Sequence, residues 1–189
     1  MDEATKYLFD EVRNAVWSGF YTKEEVAEML EEWVEDAEGE PDEAALAAAL
    51  QKEFADKKAA ESTWPQVTDC DQLDQAFGGL WAQGIIALQN AGYTMSDGLD
   101  DVSEVRANSG AEGIRGYCFY HGQDLARAVS GQGLMLAFGS FDDEATHKIA
   151  VGETVRAAFQ EVGLVVEWNG DPETRLRLPL LDWKRRGVA

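Results

Sequence analysis

The chain is short of the residues that carry most recognisable chemistry. It has two cysteines, Cys70 and Cys118, and two histidines, His121 and His147. Two cysteines are too few for a disulfide framework, so free thiols in a reducing compartment are expected. Nor do the four residues show the paired spacing of a structural zinc site. No apolar run approaches the roughly 18 residues a membrane span needs. The opening MDEATKYLFDE puts two acids before any base and has no apolar h-region, so no secretory signal is expected and the cytoplasm is the expected location. The phosphate-cradling and nucleophile-elbow patterns G-x-x-x-x-G-K, G-x-G-x-x-G and G-x-S-x-G are all missing. No cofactor and no metal are expected.

Positive charge is scarce too. Lysine and arginine number 16 against 36 aspartates and glutamates, a net charge of −20. A field of that sign repels phosphate backbones and anionic lipid, which argues against nucleic acid and membrane as partners. Hydrophobic residues make up 45% and prolines number four, enough apolar material for a core and too little punctuation for wholesale disorder.

What is present divides at about residue 61. Residues 1–61 hold 18 acids and 6 bases and read as three helices. Residues 4–16 carry an apolar stripe, and Gly19 breaks it. Thr22 and Glu25 form a T-x-x-E capping box ahead of a helix with Val26, Met29, Leu30, Trp33 and Val34 on one face. Pro41, Asp42 and Glu43 suit the first turn of a third helix with Leu46, Leu50 and Phe54 inward. Residues 62–68, STWPQVT, contain a proline and no helical period, and read as a linker.

Residues 69–189 alternate helical and strand patterns. A helix over 71–83 precedes strand 84–90. A helix over 97–109 leads to strand 114–121, and a short helical piece DLARAV (124–129) leads to strand 133–139. Asp142, Asp143 and Glu144 open a long helix to about 162, and LVVEW (164–168) with TRLRLP (174–179) reads as a hairpin. This order predicts an α+β fold: a ferredoxin-like β-α-β-β-α-β sheet plus one strand, covered by helices on both faces. A doubly wound mixed α/β sheet is the alternative. Helices 97–109 and 142–162 are expected on one face of the sheet, and the helix at 71–83 with the N-terminal helices on the other.

The densest cluster of reactive types is RGYCFYHGQD, residues 115–124. On a strand, side chains alternate faces, so Cys118 and Tyr120 oppose Tyr117, Phe119 and His121. That separates Cys118 from His121 and removes a thiol–imidazole pair. Asp124 suits a helix N-cap. A crossover makes strands 84–90 and 115–121 parallel, so their carboxyl ends share an edge. Asn90, Tyr93 and Asp97 then lie beside His121, Gln123 and Asp124 as candidate ligand-binding residues, with His121 the candidate catalytic group. Glu167, Asn169, Asp171 and Glu173 around a tight turn are a weak candidate for a hard cation. Lys184, Arg185 and Arg186 form a basic end that suits either an acidic partner or the molecule's own acids.

The stretches WSGFYTKEEV (17–26), LQNAGYTMSDG (88–98), RGYCFYHGQDLARAV (115–129), LMLAFGSFD (134–142) and VEWNGDPETRLRL (166–178) resemble an uncharacterised bacterial family, a domain of unknown function. The resemblance implies a bacterial cytoplasmic protein and brings no activity or catalytic residue with it. From the residues themselves, two functions are open. One is a non-catalytic acidic binding or regulatory protein that engages a protein partner or small ligand. The other is a small-molecule enzyme with His121 as general acid or base.

Overall fold

The computed structural model describes residues 2–188 except Ala111 and Asp143; Asp143, expected in the helix-opening acidic run, lies outside the described residues. Two compact units are present: residues 1–68 with 184–189, and residues 69–183.

The first unit is three helices, α1 (Glu3–Ser18), α2 (Lys23–Asp36) and α3 (Glu43–Glu61). Each start is fixed by a side chain that takes up an otherwise unpaired helix N–H. Asp2 accepts from Thr5 N, Thr22 and Glu25 exchange both bonds of a capping box, and Asp42 accepts from Ala45 N. Asp42 is therefore the N-cap of α3, and Pro41 stands before the helix instead of in its first turn. Gly19 ends α1 with φ of 79°, a left-handed geometry open to glycine. Leu8, Val12, Val16, Val26, Leu30, Leu46 and Leu50 form the buried centre. Tyr7, within the apolar 4–16 stretch, is exposed. The C-terminal residues join this unit. Arg185 stacks 4.5 Å from the centre of the Phe20 ring, Arg186 donates to Pro65 O at 2.6 Å, and Gly187 N donates to Glu61.

The second unit is a four-stranded mixed sheet with helices α4 (Asp69–Trp81), α5 (Met95–Asn108), α6 (Gly122–Val129) and α7 (Ala145–Glu161). Its strands are β1 (Ile85–Leu88), β2 (Gly116–Phe119), β3 (Leu134–Ser140) and β4 (Leu176–Leu178), in the order β1-β2-β3-β4. β1 and β2 are parallel; β2–β3 and β3–β4 are antiparallel. The mixed α+β class is as expected, but the ferredoxin-like interleaving is not seen, because α5 carries the chain from β1 directly to its neighbour, leaving no room for β3 between them. Residues 164–168 are not a strand. Only Glu167 pairs, through one antiparallel bridge to Arg177. Along β4, Leu176 and Leu178 are buried and Arg177 is exposed, the alternation of a half-covered edge.

Cover also differs from expectation. α7 lies with α4 on one face, where Phe77 of α4 meets both Tyr120 and Phe159 edge-on at 5.7 and 5.4 Å. α5 lies on the other, over Ile86, Phe119 and Ala137 with Val102. Ile149 of α7 and Leu99 of α5 are partly exposed. Among the described residues, no helix is long and apolar enough to cross a membrane.

Candidate functional site

The loops leaving β1 and β2 run side by side. Ala91 N donates to Tyr120 O at 2.9 Å, Gly122 N to Gly92 O at 3.0 Å and Gln123 N to Tyr93 O at 3.2 Å. These three backbone bonds bring the loop carrying Asn90, Tyr93 and Asp97 against the segment carrying His121, Gln123 and Asp124. The parallel register of β1 and β2 is the cause. Asn90 turns the chain out of the strand with φ of 52°, a left-handed conformation that asparagine tolerates better than most residues.

The six residues then separate into different roles. Asp97 is the third residue of α5 and completes a capping box with Thr94, accepting from Thr94 N at 2.8 Å and Tyr93 N at 3.2 Å. Those bonds hold its carboxyl below the ordinary range. Tyr93 and Gln123 are exposed. The N-cap position of α6 belongs to His121, whose side chain makes no capping bond. Asp124 sits in the first turn of α6, 1% exposed.

A buried carboxylate needs donors, and Asp124 has two. Arg175 Nη1 lies 2.8 Å and His121 Nε2 lies 3.0 Å from its Oδ2. The bond to Asp124 assigns the proton of a neutral ring to Nε2. In that tautomer the 3.5 Å approach of Arg175 Nη1 to Nε2 joins two donors and is no hydrogen bond. Nδ1 is then a buried acceptor without a hydrogen-bond partner among the described residues. Burial lowers the His121 pKa first; the charge of Asp124 opposes that and the charge of Arg175 adds to it, while the backbone of Tyr93 and the charge of Asp97 favour the protonated ring. The result is a pKa below the ordinary 6.5.

The cleft beside this network holds about 200 Å³ and is lined by Arg175 with Met95, Leu99, Tyr117 and Thr174. That is below the roughly 300–1,000 Å³ of small-molecule sites. Only the arginine of the three faces it. His121 is 5% exposed, so the network holds the β2–α6 junction to the segment entering β4 and offers little to a substrate.

Cys118 is fully buried, and burial pushes its thiol far above its ordinary pKa, which removes it as a nucleophile. Around the tight turn, Asn169 Oδ1 accepts from Asp171 N and Thr174 Oγ1, Asp171 Oδ1 accepts from Glu173 N, and Glu173 pairs with Lys148. The oxygens proposed for a cation thus shape the turn. Among the described residues, no group of three or more histidine, cysteine, aspartate or glutamate side chains could hold a metal ion.

The family described as Domain of unknown function (DUF6891) matches residues 1–187. The chain belongs to this family. No curated protein and no solved structure matches it. The resemblance to a domain of unknown function expected from the sequence is thus borne out over both units of this DUF6891 chain. Sequence reading missed Arg175, which pairs with Asp124 across 51 positions. The one available signal was that an aspartate in an apolar helical turn needs a cation, and the alternating Arg-Leu pattern at 175–178 does not say which arginine supplies it.

Proposed function

We propose that this protein is a non-catalytic cytoplasmic binding protein whose acidic helical unit engages a basic protein surface. One observation carries the reading. Between Glu24 and Glu43 the chain bears eleven carboxylates, all exposed, with no base from Glu24 to Gln51. None of the eleven forms an ion pair among the described residues. α2 needs only its apolar face to fold, so this charge is not explained by the bundle. Its field speeds encounter with a basic partner and rejects acidic ones.

The enzyme reading has the unpaired Nδ1 of His121 in its favour. Against it stand the burial of that ring and the engagement of its other nitrogen by Asp124.

The test is affinity capture with the full chain at about 50 and about 150 mM salt, with and without Glu28→Lys, Glu31→Lys and Glu35→Lys combined. The proposal expects a basic protein retained by the native chain, weakened by salt and lost by the variant. A partner held equally by the variant, or none at either salt, overturns it.

A further inference from the structure

At the opposite end of the sheet from His121, a cleft of about 520 Å³ opens where β2 begins and β3 ends. Its apolar floor is Ile114, Phe141 and the buried Val151. Two arginines reach it from different elements. Arg106, in the last turn of α5, lays its guanidinium 3.9 Å from the centre of the Phe141 ring. Its five N–H donors make no hydrogen bond or ion pair among the described residues. Arg115 is held in place by donating Nε–H to Gln83 O at 3.1 Å and Nη2–H to Thr154 Oγ1 at 2.9 Å, which leaves three donors. Neither guanidinium meets a carboxylate among the described residues. The one acid lining the cleft, Asp142, is already occupied. Its carboxylate takes His147 Nδ1 at 2.8 Å and accepts from Glu144 N at 3.2 Å.

In a chain with 36 acids and 16 bases, two arginines sharing a cleft whose one carboxylate, Asp142, pairs with His147 instead of with either of them are not explained by the surface charge. We infer that this cleft binds a small organic anion with a flat apolar body. The oxyanion is held by the free donors of Arg115 and Arg106, since guanidinium presents paired donors that match two oxygens of a carboxylate, sulfonate or phosphate. The body lies on Phe141, Ile114 and Val151, and the volume falls in the range of small-molecule sites. The inference is independent of the acidic helical unit, because every residue in it belongs to the sheet unit.

The experiment is fluorescence titration of the full chain with two probes: anilinonaphthalene sulfonate, and the uncharged phenylnaphthylamine of similar ring body. The sulfonate is expected to bind about tenfold or more tightly than the neutral probe. Arg106→Gln removes the charge, and Ala150→Trp, at an exposed helical position lining the cleft, fills the space while leaving both arginines. Each is expected to weaken the sulfonate about tenfold, with far-ultraviolet circular dichroism confirming the fold. Amide chemical shifts in the native chain should move at Ile114, Phe141 and Val151. Equal affinity for the two probes, no binding of the sulfonate, or unchanged affinity in both variants overturns the inference.

Discussion

A histidine bonded through one ring nitrogen to a buried carboxylate, and enclosed at the other, exchanges protons with solvent at a cost to the fold. The folded pKa of His121 lies below 6.5, whereas the unfolded chain takes up the proton near that value. As pH falls, the unfolded state therefore binds the proton first, and stability drops. The contribution is fully present above about pH 6.5 and is lost as pH descends through the lowered folded value. Asp124 and Asp97 work against the effect and Arg175 with it, but desolvation is the largest cause and sets the sign. Urea midpoints at about pH 7.5 and about pH 5 should show a smaller fall in His121→Gln than in the native protein, since every other titrating group is common to the two proteins. Equal falls in both proteins would remove His121 as the titrating group.

At the scale of elements, the seating of α5 on the sheet rests on a close approach. Gly98 is buried in the first turn of α5, and a Cβ there would sit 2.3 Å from Cε2 of Phe119 on β2. Glycine inside a helix costs about 1 kcal/mol against alanine, so its presence trades propensity for contact with β2. Gly98→Ala regains that amount but forces the Phe119 ring aside, which costs about 1–3 kcal/mol in a packed core. The expected net loss is about 1 kcal/mol by urea denaturation. Gly78→Ala in α4, where nothing lies within 4 Å of the added carbon, should instead gain up to about 1 kcal/mol. A stabilising Gly98→Ala would deny the close approach.

The same elements show where sequence is legible. Helix starts were written locally, in T-x-x-E at Thr22 and in the acids before α3. The T-x-x-D of Thr94 and Asp97 is an equally local signal, and it places α5 two residues earlier than its apolar period did while giving Asp97 a capping task. Parallel β1 and β2 followed from a single helical crossover, and with them the meeting of the 90–94 and 120–124 segments. Sheet order did not follow, because whether β3 lies beside β2 or between β1 and β2 depends on pairings that no local pattern encodes. Residues 164–168 alternate like a strand, but a strand also needs a partner edge, and only Glu167 finds one. The Arg175–Asp124 pair is long-range in the same sense.

Over the whole molecule, charge is the term furthest from balance, and it is concentrated where it opposes local structure. On α2, Glu24–Glu28, Glu28–Glu32, Glu31–Glu35 and Glu32–Asp36 are like-charged neighbours one turn apart. Each costs about 0.2–0.5 kcal/mol at low ionic strength. Surface charge tuned for stability alone would mix signs here, so the helix carries a destabilising feature that its own folding does not explain. Glu32→Lys removes two of the four repulsions and replaces them with attractions. Four changes of that size give a gain of about 1 kcal/mol in about 10 mM salt, where charges interact over about 30 Å. In about 150 mM salt the reach falls to about 8 Å, and the gain should shrink. Thermal melting at the two salt concentrations measures both. If α2 is acidic because a basic partner covers it, the same substitution that steadies the free protein must weaken the complex, a trade between stability and function. A variant that is more stable and binds its partner as well as the native chain would show that the acids of α2 are not the docking surface.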